Sequence, residues 1–167
     1  MRVLSELEPK NVFSFFEDIC NIPHPSYKEE KISNYLVDFA KERKLEYYQD
    51  SLNNVIIIKE ASKGYEDAAP IILQGHMDMV CEKTPDCDKN MDEDGLGLEV
   101  NGDFISAKGT TLGGDDGIAV AYALAILDDD SIAHPRLEFV CTVSEEVGME
   151  GASSIDVSML KGKKLLN

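Results

Sequence analysis

The sequence predicts an α/β sandwich built around a mixed sheet, and three observations lead there. Segments with apolar residues at helical spacing alternate with short, continuous apolar runs, the pattern of helices packed on buried strands. Polar residues with chemical potential stand where the apolar runs stop, and in open sheets of this class ligands gather at the carboxyl ends of strands. The chain has 167 residues, 43% hydrophobic and 29% charged, enough for one domain with a real core. Apolar runs recur along its whole length, which argues against disorder.

The elements follow in order. Val12, Phe13, Phe16, Ile19 and Cys20 fall at helical spacing, and Asn21 to Ser26, with two prolines, breaks that helix. Ser26 precedes Glu29 by three residues, a capping-box pattern. Ile32, Leu36, Phe39 and Ala40 continue at helical spacing, so the expected helix runs from Ser26 to Arg43. Tyr47-Tyr48 and Val55 to Ile58 read as strands, the second a β-branched run suited to cover on both faces. A turn over Lys63 to Ala69 leads to a short buried strand, Pro70 to Leu73, which runs into Gln74-Gly75-His76-Met77-Asp78. Cys81 to Gly97 is a polar loop. Asn101-Gly102 between Leu98–Val100 and Phe104–Ser106 signals a hairpin. Thr110 to Gly117 is a glycine-rich loop, Ile118 to Leu127 a mostly buried helix, and Leu137 to Val143 a strand that ends in Ser144-Glu145-Glu146-Val147-Gly148. Lys163 to Asn167 looks like a strand just starting, so a fragment of a longer protein is expected. No internal repeat and no low-complexity linker divides the chain.

Sixteen basic against 32 acidic side chains give a formal net charge of −16. That surplus excludes a broad basic face for nucleic acid or anionic membranes. No apolar stretch approaches the roughly 20 residues of a membrane span, and the first residues show no secretion signal. Cys20, Cys81, Cys87 and Cys141 are scattered and form no C-x-x-C pair, which fits reduced thiols in a cytoplasmic protein; two disulfides are the alternative.

Three places can carry chemistry. His76 and Asp78, two apart at a strand end, point to one side; an imidazole is a common zinc ligand, and a carboxylate can fix its tautomer. The alternative is a loop histidine beside a solvated aspartate. Asp115 and Asp116 follow two glycines at a helix start; they offer carboxylates to a ligand, or Asp115 simply caps the helix. Glu145 and Glu146 repel each other unless a positive charge lies near; one then ligates an ion and the other acts as a base, or both open the first turn of a helix. Asp88, Asn90, Asp92, Asp94 and Glu99 mimic an EF-hand loop, but Glu93 stands where glycine is required, so a solvated acidic loop is expected. His24 and His134 read as loop residues without a role. Together, His76, Asp115 and Glu146 suit zinc, manganese or cobalt better than calcium, and a shared carboxylate such as Asp115 can bridge two ions about 3.5–4 Å apart.

Three segments, Gly75 to Lys83, Lys108 to Gly117 and Ser144 to Met149, resemble the aminoacyl-histidine dipeptidases, a branch of the M20 metallopeptidases related to carnosinases and aminoacylases. Ile22-Pro23-His24-Pro25-Ser26 is similar to that family's N-terminal signature, and the likeness runs essentially end to end. The resemblance implies the zinc-dependent exopeptidase fold, an α/β/α sandwich of the M20 catalytic-domain type, here incomplete. Residues 1–167 would be the N-terminal portion of that catalytic domain, without its lid and dimerisation domain and its C-terminal part. It implies two divalent metal ions, zinc foremost, with manganese or cobalt as alternatives. His76 is implied to bind one metal, Asp115 to bridge both, and Glu146 to bind the other. Asp78 is implied to orient His76, and Glu145 to be the general base in hydrolysis of Xaa-His dipeptides. Asp116 stands where many relatives have Asn and is given no ligand role. The family's next metal-binding Asp would fall just past Asn167, and a final His and the lid lie farther on. The 167 residues alone are therefore expected to bind metal weakly and to hydrolyse little or nothing. The full-length protein is expected to be a cytoplasmic homodimer through the lid, with a small peptide substrate and neither nucleic-acid nor membrane partner. Two other readings stand beside this one: an M20 amidohydrolase acting on N-acyl amino acids, and a non-catalytic acidic binding module of the same fold.

Overall fold

A computed structural model describes residues 2–167. Helix α1 (Lys10–Cys20) buries Val12, Phe16, Ile19 and Cys20, the stripe its spacing predicts. Helix α2 (Glu30–Glu42) buries Ile32, Leu36, Phe39 and Ala40 but starts four residues later than the capping box predicts. The cap does not form, because both of its residues bond elsewhere: the Ser26 hydroxyl donates to Asp78, and the Glu29 carboxylate accepts from Ser144. Strands β1 (Glu46–Gln49), β2 (Val55–Lys59) and β3 (Ile71–His76) follow, then the hairpin β4 (Leu98–Asn101) and β5 (Phe104–Ala107). Asn101 pairs with Phe104, so the turn is Gly102-Asp103, one residue later than the Asn101-Gly102 signal. Gly102 takes the positive φ of 59° that this turn requires. Helix α3 (Gly114–Asp128), strand β6 (Leu137–Thr142), the short helix α4 (Glu150–Ser154) and strand β7 (Lys164–Leu166) complete the order.

The main sheet runs β1-β2-β6-β3-β7. β1, β2 and β6 pair antiparallel, whereas β3 lies parallel to both β6 and β7. This is the mixed sheet the sequence predicts. Alternation along the strands divides its apolar side chains between two faces. Val55, Ile57, Leu137, Phe139 and Cys141 join the large core made with α1, α2 and α3. Ile56, Ile58 and Val140 face the other way, under Ile155, Met159 and Leu160. Each fully buried Ile or Leu here contributes roughly 1.5–3 kcal/mol. The second face is thinly covered by comparison, by α4 and the extended chain after it. All four cysteines are free thiols. Among the described residues, no helix is long and apolar enough to cross a membrane.

The acidic loop behaves as a solvated loop. Asp94 accepts the Asn90 amide, Asn90 accepts the Asp92 amide, and Asp92 pairs with Lys28 at 2.7 Å.

Candidate active site

Strands β3 and β6 are parallel neighbours in the sheet, with His76 paired opposite Thr142, so their carboxyl ends emerge side by side. A cavity of about 520 Å³ opens there, lined by the polar His76, Asp115, Asp116, Thr142 and Glu145 and by the apolar Ile72, Val140, Met149 and Leu160. This is where an open α/β sheet places ligands.

His76 is the last residue of β3 and is buried. Its Nε2 lies 3.1 Å from Asp115 Oδ1 and 3.9 Å from Glu145 Oε2. On the far side of the ring, Nδ1 lies 3.1 Å from the Asp78 carbonyl oxygen and 3.3 Å from Asp78 Oδ1. Burial opposes a charged ring, but hydrogen bonds to Asp78 and Asp115 and the charges of Asp78 and Asp116 outweigh it, raising the His76 pKa to about 9. Asp78 is itself buried. Burial works against its ionisation, yet the His76 ring, the Glu145 amide, the Ser26 hydroxyl and the Glu146 amide together bring it down to about 2. The reading of His76 and Asp78 as a loop pair in solvent is thereby corrected: a strand end and a buried turn hold them.

Asp115 and Asp116 lie where α3 departs from helical geometry. No side chain caps this helix; Gly113 precedes it at φ 68°. The helix-cap reading of Asp115 is thus corrected, since its carboxylate reaches the imidazole while its side chain stays 88% exposed. Asp116 turns inward, and its Oδ2 accepts the His76 backbone amide at 3.2 Å. A Cβ on Gly75 would sit 2.7 Å from that oxygen, so a larger residue there would force the Asp116 carboxylate to shift. Burial raises the Asp116 pKa, opposed by the His76 amide and ring charge.

Glu145 and Glu146 occupy a loop, since α4 starts only at Glu150. Their amides donate to Asp78 Oδ1 at 2.9 Å and Oδ2 at 3.3 Å. Glu145 points its carboxylate to the cavity, whereas the Glu146 side chain is exposed and outside the cluster.

One imidazole thus stands among the carboxylates of Asp78, Asp115, Asp116 and Glu145. The ion pairs of Asp78, Asp115 and Glu145 run to that ring. Imidazole nitrogen and carboxylate oxygen are the donors that zinc, manganese and cobalt take, so the donor chemistry fits a divalent cation. Among the described residues, however, no three such side chains converge into a finished cage. Asp115 and Glu145 present their oxygens on the open side.

Three residues near the site, Ser26, Glu29 and Asn54, escaped the sequence reading, as did the inward turn of Asp116. Ser26 and Glu29 carried a signal, their spacing, but a helix cap explains the same spacing. Asp116 was visible beside Asp115, with nothing to say that it turns inward. Asn54, which accepts the Val143 amide at 3.0 Å from a strand-leading turn, has no sequence signal.

The architecture is a mixed-sheet α/β domain with an acidic, imidazole-bearing site at its central strand ends. In sequence and structure the chain is similar to dipeptidases and other peptidases. The chain is 40% identical, over all 167 residues, to the cytosol non-specific dipeptidase of Escherichia coli (strain K12), of which it covers 34%. It superposes on the crystal structure of aminoacylhistidine dipeptidase from Vibrio alginolyticus with a TM-score of 0.95 at 41% identity, covering 98% of this chain and 34% of that one. A tripeptidase from Staphylococcus aureus shares the fold at 22% identity, TM-score 0.76, over 93% of this chain and 42% of its own. No family model matches. The chain spans about a third of the length of the curated relatives it matches.

Proposed function

We propose that this chain carries part of the active site of a metal-dependent dipeptidase acting on Xaa-His dipeptides. The carrying observation is the Glu145 carboxylate, poised 3.9 Å from an imidazole that also faces Asp115, at the mouth of a cavity. The names of the similar proteins support the substrate class.

His76, Asp115 and Glu146 would hold two divalent metal ions, zinc foremost, with manganese or cobalt as alternatives; Glu146 does so by turning in its exposed side chain. When bound, such ions polarise a peptide carbonyl and make a water acidic enough to attack near neutral pH. Asp78 fixes the imidazole and leaves Nε2 facing the site. Glu145 is the general base: it takes a proton from the attacking water as the water oxygen bonds to the carbonyl carbon. Glu145 then returns that proton to the leaving amine as the C–N bond breaks, so one water yields one carboxylic acid and one amine. The 167 residues alone supply only part of the metal-ligand set that the resemblance implies, so they hold metal weakly and turn over little substrate. The full-length protein acts in the cytoplasm as a homodimer joined through its lid domain.

The test uses the full-length protein with added zinc or manganese and follows free histidine released from an Xaa-His dipeptide. Glu145→Gln is expected to lower the rate by about 10²–10⁴-fold. No release from wild type with two ions bound overturns the dipeptidase reading and points to N-acyl amino acids.

A further inference from the structure

The loop that carries Glu145 is held in an unusual way. Four consecutive amides, Val143, Ser144, Glu145 and Glu146, donate to side-chain oxygens. Asn54 takes the first, Glu29 the second and Asp78 the last two. The three acceptors come from distant parts of the chain, and all are buried. Asn54 also donates to the Gly151 carbonyl, closing the loop at its far end.

Glu29 is the member of this set that neither the metal chemistry nor the sheet explains. Its residue is 4% exposed, and one oxygen, Oε1, accepts both the Ser144 amide and the Ser144 hydroxyl at 2.8 Å. Ser144 has φ 51°, a left-handed conformation that residues other than glycine seldom hold without outside support. This single residue turns the chain from β6 into the loop and so sets the direction in which Glu145 leaves.

We propose that Glu29 is a positioning residue for Glu145: by gripping Ser144 through its amide and hydroxyl, it fixes the backbone turn that aims the Glu145 carboxylate at the site. The proposal rests on the reading of Glu145 as general base given above. Ser26 reinforces the same arrangement, donating at 2.7 Å to the Asp78 oxygen that also takes the Glu146 amide. The segment between α1 and α2 is therefore a strap laid under the catalytic loop. Misplacing a catalytic group by about 1 Å costs on the order of a hundredfold in rate, and that is the scale expected here.

The experiment compares Glu29→Ala with Glu29→Gln in the full-length protein. Glutamine keeps an acceptor oxygen for Ser144; alanine does not. Glu29→Ala is expected to lower kcat about a hundredfold with KM within about twofold, and Glu29→Gln to recover at least about tenfold of that. Equal losses in the two variants, or no loss in alanine, overturn the proposal. Amide hydrogen exchange provides a readout independent of turnover. Glu29→Ala is expected to lose protection at Ser144, Glu145 and Glu146 while α3 and β2 keep theirs. Protection lost across the whole sheet means a structural role only and overturns the proposal. Should wild type fail to release histidine, the reading of the reaction falls, while the exchange pattern still decides what Glu29 does.

Discussion

Strand β6 carries a charged cluster at each end, and the two are resolved in opposite ways. At its amino end Glu138 is fully buried. It accepts from Arg136 Nε at 2.8 Å, the Lys161 amide at 2.9 and 3.0 Å and the Gly162 amide at 2.9 Å. Arg136 in turn pairs with Glu60. Burial opposes ionisation of Glu138, but the guanidinium and the two amides outweigh it and hold its pKa below the usual carboxylate range. At the carboxyl end, one imidazole faces four carboxylates, and Asp115 and Glu145 keep oxygens open to the cavity. The first cluster is closed: the protein supplies its own counter-charge and donors. The second carries a surplus of negative charge, which the proposed cation would neutralise. Buried charge alone therefore does not mark a site; an unbalanced cluster beside a cavity does.

Breaking the closed cluster has the largest expected effect on stability. Arg136→Met leaves Glu138 buried without its counter-charge, and removal of one partner from such a pair costs about 3–5 kcal/mol. Urea denaturation of the full-length variant measures this loss. Added zinc is expected to stabilise the variant by the same increment as wild type, because Arg136 touches nothing at the other end of β6. A loss below about 1 kcal/mol would mean that the Lys161 and Gly162 amides satisfy Glu138 by themselves, and the contrast between the clusters would weaken.

These two clusters were not equally legible in the sequence. The strands β2 and β6 and the helix α1 announce themselves by continuous or periodic apolar residues, so the sheet and its main core were readable. His76, Asp115 and Glu145 stand at element ends, where polar residues invite a functional reading. Glu138 hides within strand β6 and Arg136 just before it, two apart, where charged residues read as a solvated face; only the paths of Glu60 and of the Lys161–Gly162 segment bring their partners. Ser26 and Glu29 show the reverse failure. A local rule explained their spacing, and tertiary hydrogen bonds to Asp78 and Ser144 overrode it. Contacts across more than fifty residues leave no local pattern to read.

The open cluster is expected to show itself in the pH dependence of stability without metal. The folded His76 pKa of about 9 lies above the ordinary 6.5, so its contribution is fully present below 6.5 and is lost as pH rises through 9. The folded Asp78 pKa of about 2 lies below the ordinary 3.8, so its contribution is present above 3.8 and is lost as pH falls through 2. With a chelator present, the unfolding free energy from urea denaturation is expected to stay flat between pH 3.8 and 6.5 and to fall on the alkaline side by on the order of 2–3 kcal/mol. Zinc binds a neutral imidazole, so excess zinc is expected to shrink that alkaline fall. A fall of the same size with and without zinc would mean that no ion takes the proton's place on His76.

The smallest expected effect is the most informative for the comparison. Asp115 pairs with His76 at 3.1 Å, but its side chain is 88% exposed. An ion pair with one partner so exposed contributes little, and Asp115→Ala is expected to change metal-free stability by no more than about 0.5 kcal/mol. Removing one carboxylate from a crowded acidic cluster also relieves repulsion, which offsets part of the lost pair. The same substitution is expected to abolish most of the rise in urea midpoint that zinc produces, since that rise follows the affinity of the folded state for the ion. Arg136→Met and Asp115→Ala thus have opposite profiles, one costly to the fold and silent toward zinc, the other nearly silent in the fold and costly to zinc binding. Several kcal/mol lost from Asp115→Ala with chelator present would make the carboxyl-end cluster a structural network like the one at the amino end, and the distinction between them would collapse.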